Sequence, residues 1–243
     1  MLSVQKRSKS FFESFLENNI EVVLARYEED IDWLKEPPFN ICRVTCYNKG
    51  SPIKNIGDFK NVKVINLKNV GRCDHTYLYH IVSNYGNLAD VTIFLPASCM
   101  DNHKKNQTYR VISNAISSKN TVFVGQIMEK NIRDSFYNFY LDEWKATNPS
   151  NASKNPESAL KKCVPRPYGK WYDANFSIID IHIVCYYGIF AVAKKHIEQH
   201  PKQQYEKLLK YVDDHSNPEA GHYMERSWGV IFYPYEKECI NPP

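Results

Sequence analysis

His222 and Glu225 stand three residues apart, a spacing that sets an imidazole and a carboxylate on one helix face, with Glu219 earlier in the run and Arg226 next to Glu225. Such a pair can move a proton to or from a reacting hydroxyl. Asp101-Asn102-His103 sets a carboxylate and an imidazole one residue apart, although no spacing among the histidines and carboxylates fixes a metal by itself. Arg72, in Asn69-Val70-Gly71-Arg72, is placed to meet an anion, because its loop opens a helix whose N-terminus favours negative charge. A surface arginine on a tight turn, or a structural salt bridge for Arg226, would need no ligand. Asp30 and Asp32 follow an apolar run, where polar residues can meet a ligand; Asp32 equally suits the first turn of a helix. His75 can face a cleft from a helix start or serve, like His80, as a core or capping residue. His182 lies inside an apolar run and reads as a buried imidazole. Trp171, Tyr187 and Trp228 could stack on a ring of a ligand, although aromatics bury large area whatever the function.

Several chemistries are excluded. The chain has no P-loop, GxGxxG, HExxH, GxSxG or zinc-ribbon spacing. It therefore lacks the phosphate cradle of kinases and P-loop enzymes and the signatures of simple dehydrogenases and serine hydrolases. Its 31 Lys+Arg against 27 Asp+Glu give a net charge of +4, too balanced for a nucleic-acid binder. Seven cysteines without a CxxC pair predict free thiols of a reducing compartment. The opening Met-Leu-Ser-Val-Gln-Lys-Arg has no apolar core, so the expected location is the cytoplasm and the sequons at Asn106, Asn151 and Asn175 are incidental.

The 243 residues, 43% hydrophobic and 14% aromatic, can build a full core without staples. No apolar run approaches the ~20 residues of a membrane span. Ser10–Asn19 predicts a short amphipathic helix, with Phe11, Phe12, Phe15 and Leu16 along one stripe. Strands are predicted at Ile20–Ala25, Phe39–Tyr47, Val62–Leu67 and Val91–Leu95, with a helix starting at Ile31–Leu34 and broken at Pro37-Pro38. Asp74 reads as the N-cap of a helix from His75 to about Tyr85. Further on, Tyr109–Ser117, Ile132–Trp144 and Gln203–Val212 read as helices, and Thr121–Val124 and Ile178–Val184 as strands. Asn148–Pro167 reads as a loop or lid. Strands alternating with helices predict an α/β fold with a parallel sheet, whose ligands bind beyond the carboxyl ends of the strands. The polar residues after each strand, among them Arg26, Asn48 and Lys49, thereby become site candidates.

The order of these segments resembles GT-A glycosyltransferases. Ala25-Arg26-Tyr27-Glu28-Glu29-Asp30 is similar to their first nucleotide-binding loop. Asn69-Val70-Gly71-Arg72, the helix after it and Val91-Thr92-Ile93-Phe94-Leu95 are similar to the segment leading to the metal-binding DxD. Arg166-Pro167-Tyr168-Gly169-Lys170-Trp171-Tyr172, Tyr187-Gly188-Ile189-Phe190-Ala191-Val192 and Gly221-His222-Tyr223-Met224-Glu225-Arg226-Ser227-Trp228 resemble an uncharacterised domain family of large viruses, fungi and plants, placed beside the GT-A enzymes. The resemblance covers most of residues 20–234.

It implies a GT-A-like, Rossmann-type, mostly parallel sheet flanked by helices, with an elaborated C-terminal half. Residues 1–19 would be a helical extension and 20–243 one domain, divided into a nucleotide-binding-like half (20–103) and an acceptor-side half (104–243). The implied activity is transfer of a sugar from a UDP- or GDP-linked donor to a hydroxyl on a glycan or other acceptor. Arg26, Asp30, Asp32, Asn48, Lys49, Gly71, Arg72, His75 and Arg226 would hold the donor. Glu225, with His222 and Glu219, would supply the base. The DxD itself is missing, since the fourth strand runs into Pro96-Ala97-Ser98-Cys99-Met100. Its nearest substitute is Asp101 with His103, for Mn²⁺ or Mg²⁺; without a metal, Arg72 and Arg226 would carry the diphosphate charge. Two other functions fit the same residues: an inactive scaffold that binds glycans or a protein, and an α/β hydrolase using Asp101/His103 and Glu225/His222.

Overall fold

The computed structural model describes residues 19–144 and 159–241. β1 (Ile20–Arg26) is buried along nearly its whole length, as its β-branched run requires. It pairs in parallel with β2 (Arg43–Asn48), which pairs in parallel with β3 (Val62–Asn66). The chain then forms α1 (Arg72–Asn84) and returns across the sheet to β4 (Val91–Pro96), on the other side of β1. α2 (Asn102–Ser118) follows, and later α3 (Tyr168–Asn175). β5 (Phe190–Ala193) closes the sheet antiparallel to β4, giving the order β3-β2-β1-β4-β5. α4 (Lys202–Leu209) and α5 (Glu219–Ile231) complete the longer helices.

The pleat separates two cores. Val23, Tyr47, Phe94 and Phe190 point to one face, where Tyr77, Leu78 and Ile81 of α1 and Tyr223, Trp228 and Ile231 of α5 cover them. Val22, Leu24, Val44, Ile93 and Ala191 point to the other, beneath Val111, Ile112 and Ala115 of α2. The result is a mixed α/β domain with a mostly parallel five-stranded sheet between helices. All seven cysteines are free thiols. No described helix is long and apolar enough to cross a membrane.

Several expected elements change. Phe39–Ile41 is a turn of 3₁₀ helix, so β2 begins only at Arg43. A second 3₁₀ turn, Asp32–Lys35, replaces the helix expected from Ile31. α1 starts at Arg72 with Gly71 as its N-cap, which puts Asp74 inside the first turn. α2 begins seven residues before the expected Tyr109, because Asp101 caps it and Lys104 and Lys105 N–H groups return to the Asp101 carbonyl. Of Ile132–Trp144 only Ile132–Ser135 is helical. Phe136 and Phe139 instead pack on Tyr168 and Tyr223, while Tyr137 and Tyr140 stay exposed. Of Ile178–Val184 only Ile183–Val184 is strand, paired with Gln126–Ile127. The helix expected at Ser10–Asn19, except its last residue, and most of the expected loop at Asn148–Pro167 lie outside the described residues.

Candidate active site at the carboxyl ends of the strands

β1 leads outward to β2 and β3, while the α1 crossover carries the chain back to β4. The strand order therefore reverses between β1 and β4, and the crevice beyond their carboxyl ends is the ligand position of open α/β sheets. The start of α1, the start of α2, the Tyr186–Gly188 turn and one face of α5 converge there.

Two pairs of left-handed residues build its rim. Gly71 (φ 55°) and Arg72 (φ 48°) turn the chain into α1; Tyr187 (φ 70°) and Gly188 (φ 65°) turn it into β5. Such a backbone is strained for arginine and tyrosine and is retained where surrounding structure enforces it. At the first turn, the buried Lys49 ammonium donates to the Val70 carbonyl (2.6 Å) and to that of Arg72. At the second, the Tyr187 N–H donates to Glu225 Oε1 (2.8 Å), fixing the carboxylate one face away on α5.

Charge then accumulates in a partly dry place. The Arg72 guanidinium lies 3.5 Å over the Trp144 ring and donates to Asn217 Oδ1. Burial lowers its pKa, while Asp74, Cys73 and Glu225 oppose the shift. Asp74, almost wholly buried two residues later, has its carboxyl raised to about 8 by burial first and the Glu225 charge second, with Arg72 opposing. Burial likewise lowers Lys49 to about 8. His222 is lowered to about 3 by burial and by the Arg72 and Arg226 charges, and its ring packs against Trp144 (5.1 Å). Arg226 donates to the His222 carbonyl (2.8 Å), stacks 3.8 Å over Phe139, and lies 3.9 Å from Glu225 Oε2. With a carboxyl pKa raised to about 8, Asp74 is held protonated at neutral pH beside Glu225 and two arginines.

The remaining expected residues divide. His75 is buried against Tyr79 and held near pKa 4 by burial and Lys49, so it supports α1 as a neutral ring. Gly71 N–H donates to the His215 carbonyl (2.8 Å), docking the loop on the segment before α5. Arg26 is a clamp: Nε bonds the Glu29 carbonyl and Nη1 bonds Asn48 Oδ1 (2.6 Å) and the Ser51 carbonyl. Asn48 answers with bonds to Gly50, Ser51 and Asn66. Asp30 receives the Asp32 N–H, and Asp32 pairs with Lys35, both in solvent.

Three residues occupy different places from those expected. Trp171 and Trp228 are completely buried in the core and present no ring to a ligand; Tyr187, 41% exposed, does. Glu219 is also fully buried, and its carboxylate receives the N–H groups of Leu141 (2.9 Å) and Cys163 (2.7 Å) and the Tyr223 hydroxyl (2.9 Å). With its lone pairs committed to two loops, it organises chain rather than chemistry.

Asp101 and His103 fit a Mn²⁺ or Mg²⁺ poorly. The Asp101 carboxylate is paired with Lys104 Nζ at 3.0 Å, and the His103 ring meets Tyr187 at 5.3 Å. Among the described residues no third His, Cys, Asp or Glu joins them at coordinating distance. Asp74, Trp144, Asn217 and Phe139 were not among the expected site residues. The Arg72-Cys73-Asp74 spacing held the one local signal, a carboxylate in the same first turn as a candidate anion-binding arginine.

Fold and site together define a mixed α/β domain with a charged cluster at the switch point of its sheet. Residues 22–242 match the family described as a protein of unknown function, DUF3431, and the chain belongs to that family. No curated protein matches it.

Proposed function

We propose that the protein is a GT-A-like glycosyltransferase, moving a sugar from a nucleotide-sugar donor to a hydroxyl acceptor without a DxD-bound metal. The observation that carries this reading is the meeting of Arg72, Asp74, Glu225 and Arg226 at the switch point of a β3-β2-β1-β4 sheet with an antiparallel edge. A nucleotide diphosphate fits beyond β1 and β4, where the N-terminus of α1 and Arg72 favour its charge as it departs. Glu225, held by the Tyr187 N–H, takes the proton of the acceptor hydroxyl as the new bond to the sugar carbon forms. Protonated Asp74 lowers the negative charge of the crevice and keeps a diphosphate from facing two carboxylates. Tyr187, exposed at the mouth, supplies a ring face for a sugar.

A thermal-shift panel of UDP-, GDP-, CMP- and ADP-sugars, with and without Mn²⁺, tests the reading. A donor at ~100 times its dissociation constant adds about 2.7 kcal/mol. A rise with one nucleotide class, independent of Mn²⁺ and lost in Arg72→Ala, is expected. A flat panel would transfer weight to a glycan- or protein-binding scaffold. Wild-type transfer in both Arg72→Ala and Glu225→Gln would refute the assigned roles.

A further inference from the structure

A second cluster lies away from the crevice, where β5 ends. His196, in the helical turn after β5, meets Glu236 and Cys239 of the C-terminal segment, and the donor atoms of the three lie within 4.8 Å of one another. We propose that these residues form a zinc site that fastens residues 236–239 to the end of β5.

Geometry carries the inference. Zinc bonds of about 2.0–2.1 Å to nitrogen and oxygen and about 2.3 Å to sulfur set tetrahedral edges of roughly 3.3 Å for N···O and roughly 3.6 Å for S···O. His196 Nε2 stands 3.2 Å from Glu236 Oε2, and Cys239 Sγ stands 3.6 Å from the same oxygen. One imidazole, one thiol and one carboxylate form a borderline-soft set that suits Zn²⁺ better than Mg²⁺ or Ca²⁺.

The surroundings orient the set as an outer shell does. Thr121 Oγ1 lies 2.6 Å from His196 Nδ1 and accepts the Ala193 N–H at 2.9 Å, so the ring is fixed from the side opposite the cluster. Lys195 Nζ binds Glu236 Oε1 at 2.7 Å, leaving Oε2 turned to the histidine and cysteine. His196 and Cys239 are buried while Glu236 is half exposed, which gives an ion a path in and leaves its fourth position to water. Hydrogen bonds alone could hold a His–Glu pair at this distance. The Cys239 thiol donates to the same oxygen across one 3₁₀ turn, so imidazole, thiol and carboxylate converge with the imidazole anchored from behind, an arrangement a cation can take over from these hydrogen bonds.

The test uses Co²⁺ as a spectroscopic stand-in on the full chain, reduced and freed of metal. One equivalent should produce tetrahedral visible bands and a near-ultraviolet thiolate-to-cobalt band, both erased by Zn²⁺. Cys239→Ser should lose the thiolate band, and Thr121→Val should weaken binding roughly 10–100-fold. Because Cys239 is buried, Glu236→Gln at the surface serves as a second variant and should also weaken cobalt binding. A wild-type spectrum without a thiolate band would overturn the proposal, as would a band that persists in Cys239→Ser. These readouts do not involve the crevice, so they stand or fall separately from sugar transfer.

Discussion

Asp74 packs against Gly221: a Cβ at that glycine would lie 3.0 Å from Asp74 Oδ2. The missing side chain lets α5 approach the first turn of α1 and removes the Asp74 carboxyl from water. Glu225 follows one turn later on α5, near enough to add its charge.

The Asp74 carboxyl has a folded pKa of about 8 against 3.8 in the open chain. Between those values the folded protein binds the extra proton, so this group's contribution to stability falls as pH rises from about 4 to about 8 and is level above. Asp74→Asn should therefore gain stability relative to wild type as pH rises through that window, measured by urea unfolding at successive pH values. A difference that does not change with pH would contradict the buried, protonated state.

His222 works with the opposite sign. Its folded pKa near 3 lies below the ordinary 6.5, so the unfolded chain binds more protons between those values and stability is lost as pH falls from about 6.5 to about 3. His222→Gln should blunt acid unfolding in that range. Equal acid sensitivity in the two proteins would mean that the imidazole is not buried neutral.

Glu219→Ala should cost stability rather than rate alone. The substitution strips partners from the Leu141 and Cys163 N–H groups and the Tyr223 hydroxyl. Each polar group left buried without a partner costs about 1–3 kcal/mol. Chemical denaturation within 1 kcal/mol of wild type would show that these loops do not depend on Glu219.

Gly71→Ala is expected to disturb the entry to α1. A Cβ would stand 2.1 Å from the Val212 carbonyl oxygen and 2.6 Å from the His75 Cβ. A left-handed alanine adds ~1–2 kcal/mol before any clash. Lower thermal stability, together with loss of the ligand response assigned to Arg72, is the expected pair of results.

Trp228 and Tyr187 separate core from surface. Trp228→Ala should cost about 3–5 kcal/mol, since the ring is packed on Phe190 and Phe232. Tyr187→Ala should stay within about 0.5 kcal/mol of wild type, as for most surface changes, while weakening binding of a sugar-bearing ligand. Calorimetry of both variants decides whether their environments differ as the structure indicates.

The sequence by itself determined the first four strands, the helix between the third and fourth, and the Arg72 loop ahead of that helix. These are set by local hydrogen bonding and by short apolar runs between turn residues. It also determined that His222, Glu225 and Arg226 share one helix. Tertiary structure decided which polar groups are dry and which aromatics are visible. Asp74 reads as a helix cap until Gly221 closes over it. Glu219 has the residue type of a base but is consumed by the Leu141 and Cys163 N–H groups, many positions away in the chain. Trp171 and Trp228 have a stacking residue's chemistry but no exposed face. In Ile132–Trp144, inward packing of Phe136 and Phe139 overrides helical tendency after one turn. Periodicity records what neighbours along the chain do, whereas burial, and the charge state it sets, depends on residues that only the fold brings together.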